Sequence, residues 1–225
     1  MLKIKLRFAV GLTLFATLPV LTGCAFGTRE VYLKNSVTTN VSENNERNHE
    51  VCFDDLSDSR NEVNIGHVQN GYGMHTAEVV AENNVQDWIN TEIKSQIRMA
   101  GYSVHENCSP QRAGLIEIQG KIVKVYTTAY LSYLGEVTID ASVSLDSSII
   151  INKKYSGHTQ GGLNMAASSY MFGETLQKAL KSMITQLIAD INSIDQGTIE
   201  GVREKSPVIQ VPTLVESDSD KKTYS

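Results

Sequence analysis

Three cysteines, five histidines and one tight group of aspartates are the residues of this 225-residue chain whose chemistry could build a site. Asp54, Asp55 and Asp58 invite a calcium reading, because hard cations take carboxylate oxygens. In the twelve-residue loop register from Asp54, Leu56 falls at the third position, Ser59 where glycine is required and Ile65 at the bidentate acid. The register fails three times, and a solvated turn after a strand accounts for the aspartates better. Asp58 and Arg60 can pair within that loop or face a partner; an exposed pair adds only about 0–1 kcal/mol, so stability is a poor reason to have one. His67 and His75 stand eight apart in a polar stretch and His158 on an expected strand, without cysteine or acid at ligand spacing, so all three read as surface or hydrogen-bonded imidazoles. Gly71-Tyr72-Gly73 lacks the third glycine and the preceding strand of a dinucleotide loop and reads as a turn. No Gly-x-Ser-x-Gly elbow occurs. The sequence therefore assigns no catalytic residue, no cofactor and no metal.

Cys24 stands apart. Before it come Lys3, Lys5 and Arg7, then an apolar run from Phe8 to Leu21, broken by Gly11 and Pro19. That order is a secretory signal, and the run falls short of the ~20 apolar residues of a spanning helix. It ends in Leu21-Thr22-Gly23-Cys24, which resembles the lipobox of bacterial lipoproteins, in which the cysteine thiolate takes up the lipid. Cleavage before Cys24 removes 23 residues with three cations and no acid, leaving 202 residues at a formal charge near −8. Two or more acyl chains anchor a protein stably where one does not. Ala25 follows the cysteine where lipoproteins retained at the inner membrane usually show Asp, so the resemblance implies the periplasmic side of the outer membrane, held through acyl chains on Cys24. A pI near 5.6 excludes a broad nucleic-acid surface.

With Cys24 acylated, Cys52 and Cys108 are left as partners for each other in an oxidising compartment. Two states stay open. A bridge would close a loop of more than fifty residues; a simple parallel crossover would instead set the two thiols at opposite ends of neighbouring strands, too far apart to bond.

The elements around these residues follow from periodicity. Residues 24–49 are rich in Asn, Ser, Thr and Glu and read as a flexible tether with an adhesive patch at Val31–Leu33. Residues 50–196 form a single domain and 197–225 a mobile tail. Within the domain, Val51-Cys52-Phe53 opens a strand, and residues 57–75 form a polar loop. Ala81, Val85, Trp88, Ile89, Ile93, Ile97 and Ala100 recur at helical steps, giving a helix from about Thr76 to Ala100 capped by Gly101. A short strand follows at Tyr102–His105. Ile116, Ile118 and Ile122 alternate with polar residues before the phase shifts at Val123 and Val125, which predicts a bulge. Val137 to Leu145 alternate strictly, and Asp146-Ser147-Ser148 turns the chain into a strand over Ile149–His158. Phe172 to Ile194 carry a long helical stripe closed by Gly197. The order β-α-β-β-β-β-α predicts an α+β fold, an antiparallel sheet of about four to five strands with both helices on one face.

Val51-Cys52-Phe53-Asp54-Asp55 with Asp58-x-Arg60, the Ala100-Gly101-Tyr102-Ser103-Val104 junction, Lys153-Lys154-Tyr155 and the closing Ala189-Asp190 together resemble the YajG-like uncharacterised bacterial lipoproteins. The resemblance implies an outer-membrane lipoprotein and supplies no catalytic residue. The expected function is non-enzymatic binding of another envelope protein or a cell-wall component. An accessory subunit of a transport or assembly complex, or a peptidoglycan hydrolase, are the alternatives. Tyr126, Tyr130, Leu131, Tyr133 and Leu134 crowd one connection and are the expected partner surface, with Asp58 and Arg60 beside them. Alternatively the strands run long there and the rings pack on the domain's own helix.

Overall fold

The computed structural model describes residues 27–36, 47, 49–106, 108, 114–164 and 166–197. Among the described residues, two helices and a mixed sheet of nine strands share one core. The strands are β1 (Arg29–Val31), β2 (Glu50–Phe53), β3 (Ser57–Asp58), β4 (Gly66–Gln69), β5 (His75–Ala81), β6 (Val104–His105), β7 (Leu115–Ala129), β8 (Ser132–Leu145) and β9 (Ser148–Leu163). The helices are α1 (Val85–Met99) and α2 (Ser169–Asp195). The expected α+β class stands, but four to five antiparallel strands fall short of this sheet. The difference lies in how the chain uses β7. One edge of this 15-residue strand pairs antiparallel with β8. The other takes β2, β3 and β4 end to end, all parallel to it. Segments of two to four residues are too short to show an alternation in sequence, and they become strands because a long neighbour supplies their hydrogen bonds.

The meander β7–β8–β9 follows its alternation. Ile116, Ile118, Ile122 and Val125 face Leu145, Val143, Ile139 and Val137 across the ladder, all buried. The register shifts between Ile122 and Lys124, at the expected bulge. Asp146 and Ser147 turn with φ of 50° and 62°, the paired left-handed residues of a two-residue hairpin. α2 lies on β8 and β9, burying Phe172, Leu176, Leu180, Met183, Ile184, Leu187 and Ile191. It approaches so closely that a Cβ on Gly157 would collide with the carbonyl oxygen of Ala179.

α1 starts later than its periodicity suggested. Asn84 caps it, its side-chain oxygen accepting from the N–H groups of Gln86 at 2.8 Å and Asp87 at 3.1 Å. Residues 75–81, read from sequence as polar loop and then helix, form β5 instead, hairpin partner of β4. The tether also shortens. β1 pairs in parallel with β5, and Val31 and Leu33 are buried. Asn83 exchanges hydrogen bonds with both backbone groups of Leu33, and the Trp88 indole donates to Lys34. The body thus begins ahead of residue 50, and Val31 and Leu33 of the adhesive patch are core, with Tyr32 exposed between them. The signal segment and residues 198–225 lie outside the described residues. Neither described helix is long and apolar enough to cross a membrane.

Candidate binding surface

One end of the sheet gathers three connections. The β4–β5 turn is built by Asn70, whose side-chain oxygen accepts the N–H groups of Tyr72 and Met74, both at 3.0 Å. Gly73 takes φ 80° there, a left-handed conformation that a residue with Cβ rarely adopts. The product is a rigid turn presenting Tyr72 at 90% exposure. Beside it, the β7–β8 turn carries Tyr130 and Leu131, and the Tyr130 hydroxyl donates to the carbonyl of Gly71 at 3.0 Å. Beyond β9, Asn164 donates from its backbone to Leu131 and from its side chain to Tyr130, again at 3.0 Å each. Met74, Leu131 and Leu163 are exposed on this end.

The residues expected to form a partner surface separate here. Tyr130 is exposed at the tip. Tyr133 is not; it is buried edge-on against Phe172 with ring centroids 5.1 Å apart, and its hydroxyl accepts the N–H of Ser168 at 2.8 Å. The expectation fails for Tyr133 because β8 starts at Ser132, which turns this ring toward α2. Tyr126 is half-buried on the outer face of β7. Its hydroxyl meets His67 Nδ1 at 3.0 Å, and the His67 ring lies 4.6 Å from that of His75. Burial first, then the neighbouring His75, holds His67 below the usual histidine range, with Glu78 and Glu62 opposing. Burial likewise pushes the Tyr126 phenol up. Sequence reasoning set His67 and His75 apart in one loop. A register shift after Val68 leaves Thr76 unmatched in the β4–β5 ladder and swings His75 to the outer face, where it meets Glu78 at 3.2 Å.

Asp58 and Arg60 close on each other. The guanidinium grips the carboxylate through Nε at 3.0 Å and Nη2 at 2.8 Å, and the Arg60 N–H donates to the same carboxylate. That grip holds Asp58 below its ordinary value, with desolvation opposing. The pair locks its own loop through Nε and Nη2, while Arg60 Nη1 is buried without a hydrogen-bond partner. Cys52 and Cys108 are bonded, with Cα atoms 5.5 Å apart. β2 and β6 are indeed parallel neighbours, and the chain bends back after His105 to bring Cys108 to Cys52. Asp54 lies beside them, a set that would suit a metal only with the thiols reduced. Cys24 lies outside the described residues.

On the outer face of the meander, Tyr126, Leu134, Glu136, His158 and Gln160 line a shallow groove of about 400 Å³. Next along the same strands Thr138 and Ser156 join hydroxyls at 2.9 Å, and Lys124 pairs with Glu136.

No protein-family model and no curated protein matches the chain. Among solved structures, it is similar to protein XCC0632 from Xanthomonas campestris, described under the family model DUF330. The TM-score is 0.54 at 10% identity, over 75% of this chain and 98% of that one. An uncharacterized protein reaches a TM-score of 0.48 at 6% identity, over 74% of this chain and 99% of its own. The hypothetical protein CT253 from Chlamydia trachomatis reaches 0.42 at 12% identity, over 64% and 96%. What the chain shares with the Xanthomonas protein is its fold.

Proposed function

We propose that this protein is a lipid-anchored component of a bacterial cell envelope, of the YajG-like kind, that works by holding a partner and not by catalysis. One observation carries the binding half. α2 covers the inner face of the β7–β9 meander, while the outer face keeps the open groove beside Tyr126, with tyrosine, leucine, carboxylate, imidazole and amide side chains along it. An aromatic flanked by paired polar groups fits a polypeptide or glycan of another envelope component. The address rests on the Leu21-Thr22-Gly23-Cys24 box, and the Cys52–Cys108 bond supports it, since such bonds persist in oxidising compartments. The periplasmic face of the outer membrane fits both, and a subunit of a transport or assembly complex is the narrower form of the same reading.

A photo-crosslinking residue at Gln160, in the full-length protein in its own envelope, should yield one discrete adduct absent from a control at Lys181 on the exposed side of α2. Identical patterns from both positions would remove the groove as a binding site, and digestion of purified peptidoglycan by the protein would replace binding with hydrolysis. Cys24→Ser should release the protein from the membrane fraction; normal processing and anchoring of this variant would end the lipoprotein reading.

A further inference from the structure

We infer that the end of the body carrying Tyr72, Met74, Tyr130, Leu131 and Leu163 rests on the bilayer in which Cys24 is anchored. The inference builds on the lipoprotein reading and adds an orientation and a lipid-contacting surface to it.

The first observation is direction. β1 runs parallel to β5, with Arg29 opposite Val79 and Val31 opposite Ala81. β5 leaves the β4–β5 turn, so the chain enters β1 from the turn's end of the sheet. Gly27 and Thr28 lie beside His75, Thr76 and Ala77 accordingly. Cys24 is three residues before Gly27, and three residues span at most about 10 Å. Acyl chains on Cys24 therefore enter the membrane within that distance of Gly27. The body hangs on a link of a few residues, and its near end cannot stand clear of the lipid.

The second observation is the chemistry of that end. The connections 69–75, 129–132 and 163–164 contain no Lys, Arg, Asp or Glu, in a chain that is 20% charged. They expose two tyrosines, two leucines and a methionine. Tyrosine settles at the headgroup level, where its ring is half in lipid and its hydroxyl in water, and leucine and methionine enter the acyl boundary. Backbone groups are the costly part of any loop that meets lipid. Here the carbonyls of Gly71, Tyr130 and Leu131 already accept hydrogen bonds, and the Asn70 side chain takes the N–H groups of Tyr72 and Met74. The opposite end, at the Asp146-Ser147 turn, is some 45 Å away along 14 residues of β8 and carries charge.

The test uses the full-length lipidated protein in vesicles of phosphatidylethanolamine and phosphatidylglycerol, part of it brominated on the acyl chains. Tryptophan is introduced at the near end by Leu131→Trp and at the far end by Ser148→Trp; Trp88 is buried and supplies a constant background. Bromolipid should quench the introduced emission at position 131 at least twofold more than at position 148. Equal quenching at both positions, or none at 131 in protein that floats with the vesicles, overturns the inference. A blue shift at 131 that is independent of bromine also overturns it and assigns this end to a protein contact. Protein that fails to float removes the lipid on Cys24 and with it the lipoprotein reading itself, an outcome distinct from the others.

Discussion

Tyr155 and Tyr102 end buried rings in hydrogen bonds to α2, the first to Asp190 at 2.7 Å and the second to Asn192 at 2.8 Å. Burial pushes the Tyr102 phenol up to about 12, with Asp195 adding and the guanidinium of Arg47, 4.6 Å over the ring, opposing. Burial and the Asp190 carboxylate push Tyr155 further in the same direction. A raised phenol favours the fold while both states are protonated. Above pH ~10 the unfolded chain ionises first, and stability falls by about 1.4 kcal/mol per pH unit for each such phenol until the folded value is passed. Urea midpoints should therefore drop between pH 9 and pH 11. Tyr155→Phe should make that drop shallower while costing about 1–2 kcal/mol at pH 7 through the lost hydrogen bond. An unchanged alkaline slope in the variant would show that Tyr155 ionises equally in both states. Asp190 keeps a second partner, Lys153 at 2.7 Å, so the variant does not strand a charge.

At the scale of elements, the seat of α2 on the meander is set by small residues. Gly157 and Gly135 lie under the backbone of Ala179 and Thr175, so the helix sits closer than any side chain would allow. Gly157→Val should push α2 off its seat and cost about 3 kcal/mol or more, the upper range for overpacking, read as a lower thermal midpoint and weakened near-ultraviolet dichroism. A neutral Gly157→Val would mean that the helix can ride up without loss. Periodic elements were legible before the structure: both helical stripes, the bulge after Ile122 and the Asp146-Ser147 turn all come from residues that act locally. β5 was not, because Ala77, Val79 and Ala81 can be phased onto the stripe of α1, and only Asn84, with Asp87 three residues on, marks where the helix begins. β1, β3 and β4 were illegible for a different reason. Apart from the β4–β5 hairpin, their partners lie roughly 50 to 65 residues away in sequence, and nothing inside a short segment records which distant edge it will meet. The lipid-facing end stayed hidden likewise, since Tyr72, Leu131 and Leu163 come together only once the hairpins are stacked.

For the whole molecule, the bond between Cys52 and Cys108 spans 56 positions and ties the first half of the domain to itself before β7 begins. Closing a loop of that length is worth about 4 kcal/mol in the chain-entropy account. Replacing both cysteines by serine should lower unfolding stability by roughly 2–4 kcal/mol in urea titrations. A double variant as stable as the parent would mean that the unfolded chain already holds these segments together. The same bond fixes the short β2 and β6 pair beside β7, so its loss should be felt most at that corner, and least at the end where Tyr72 and Leu131 stand.

The place of β7 also dictates an order in time. β2, β3 and β4 each need an edge of a strand that begins at Leu115, so the first half of the chain, which is made first, can pair only within itself, β4 and β1 with β5 and β2 with β6, until synthesis has passed residue 129. The meander and α2, by contrast, contact near neighbours and can condense as soon as they exist. The sheet therefore closes from its second half backwards, and the β1–β5–β4 and β2–β6 pairs wait for β7 with the apolar residues they bury against it uncovered. That wait is a built-in demand for a holding partner during biogenesis.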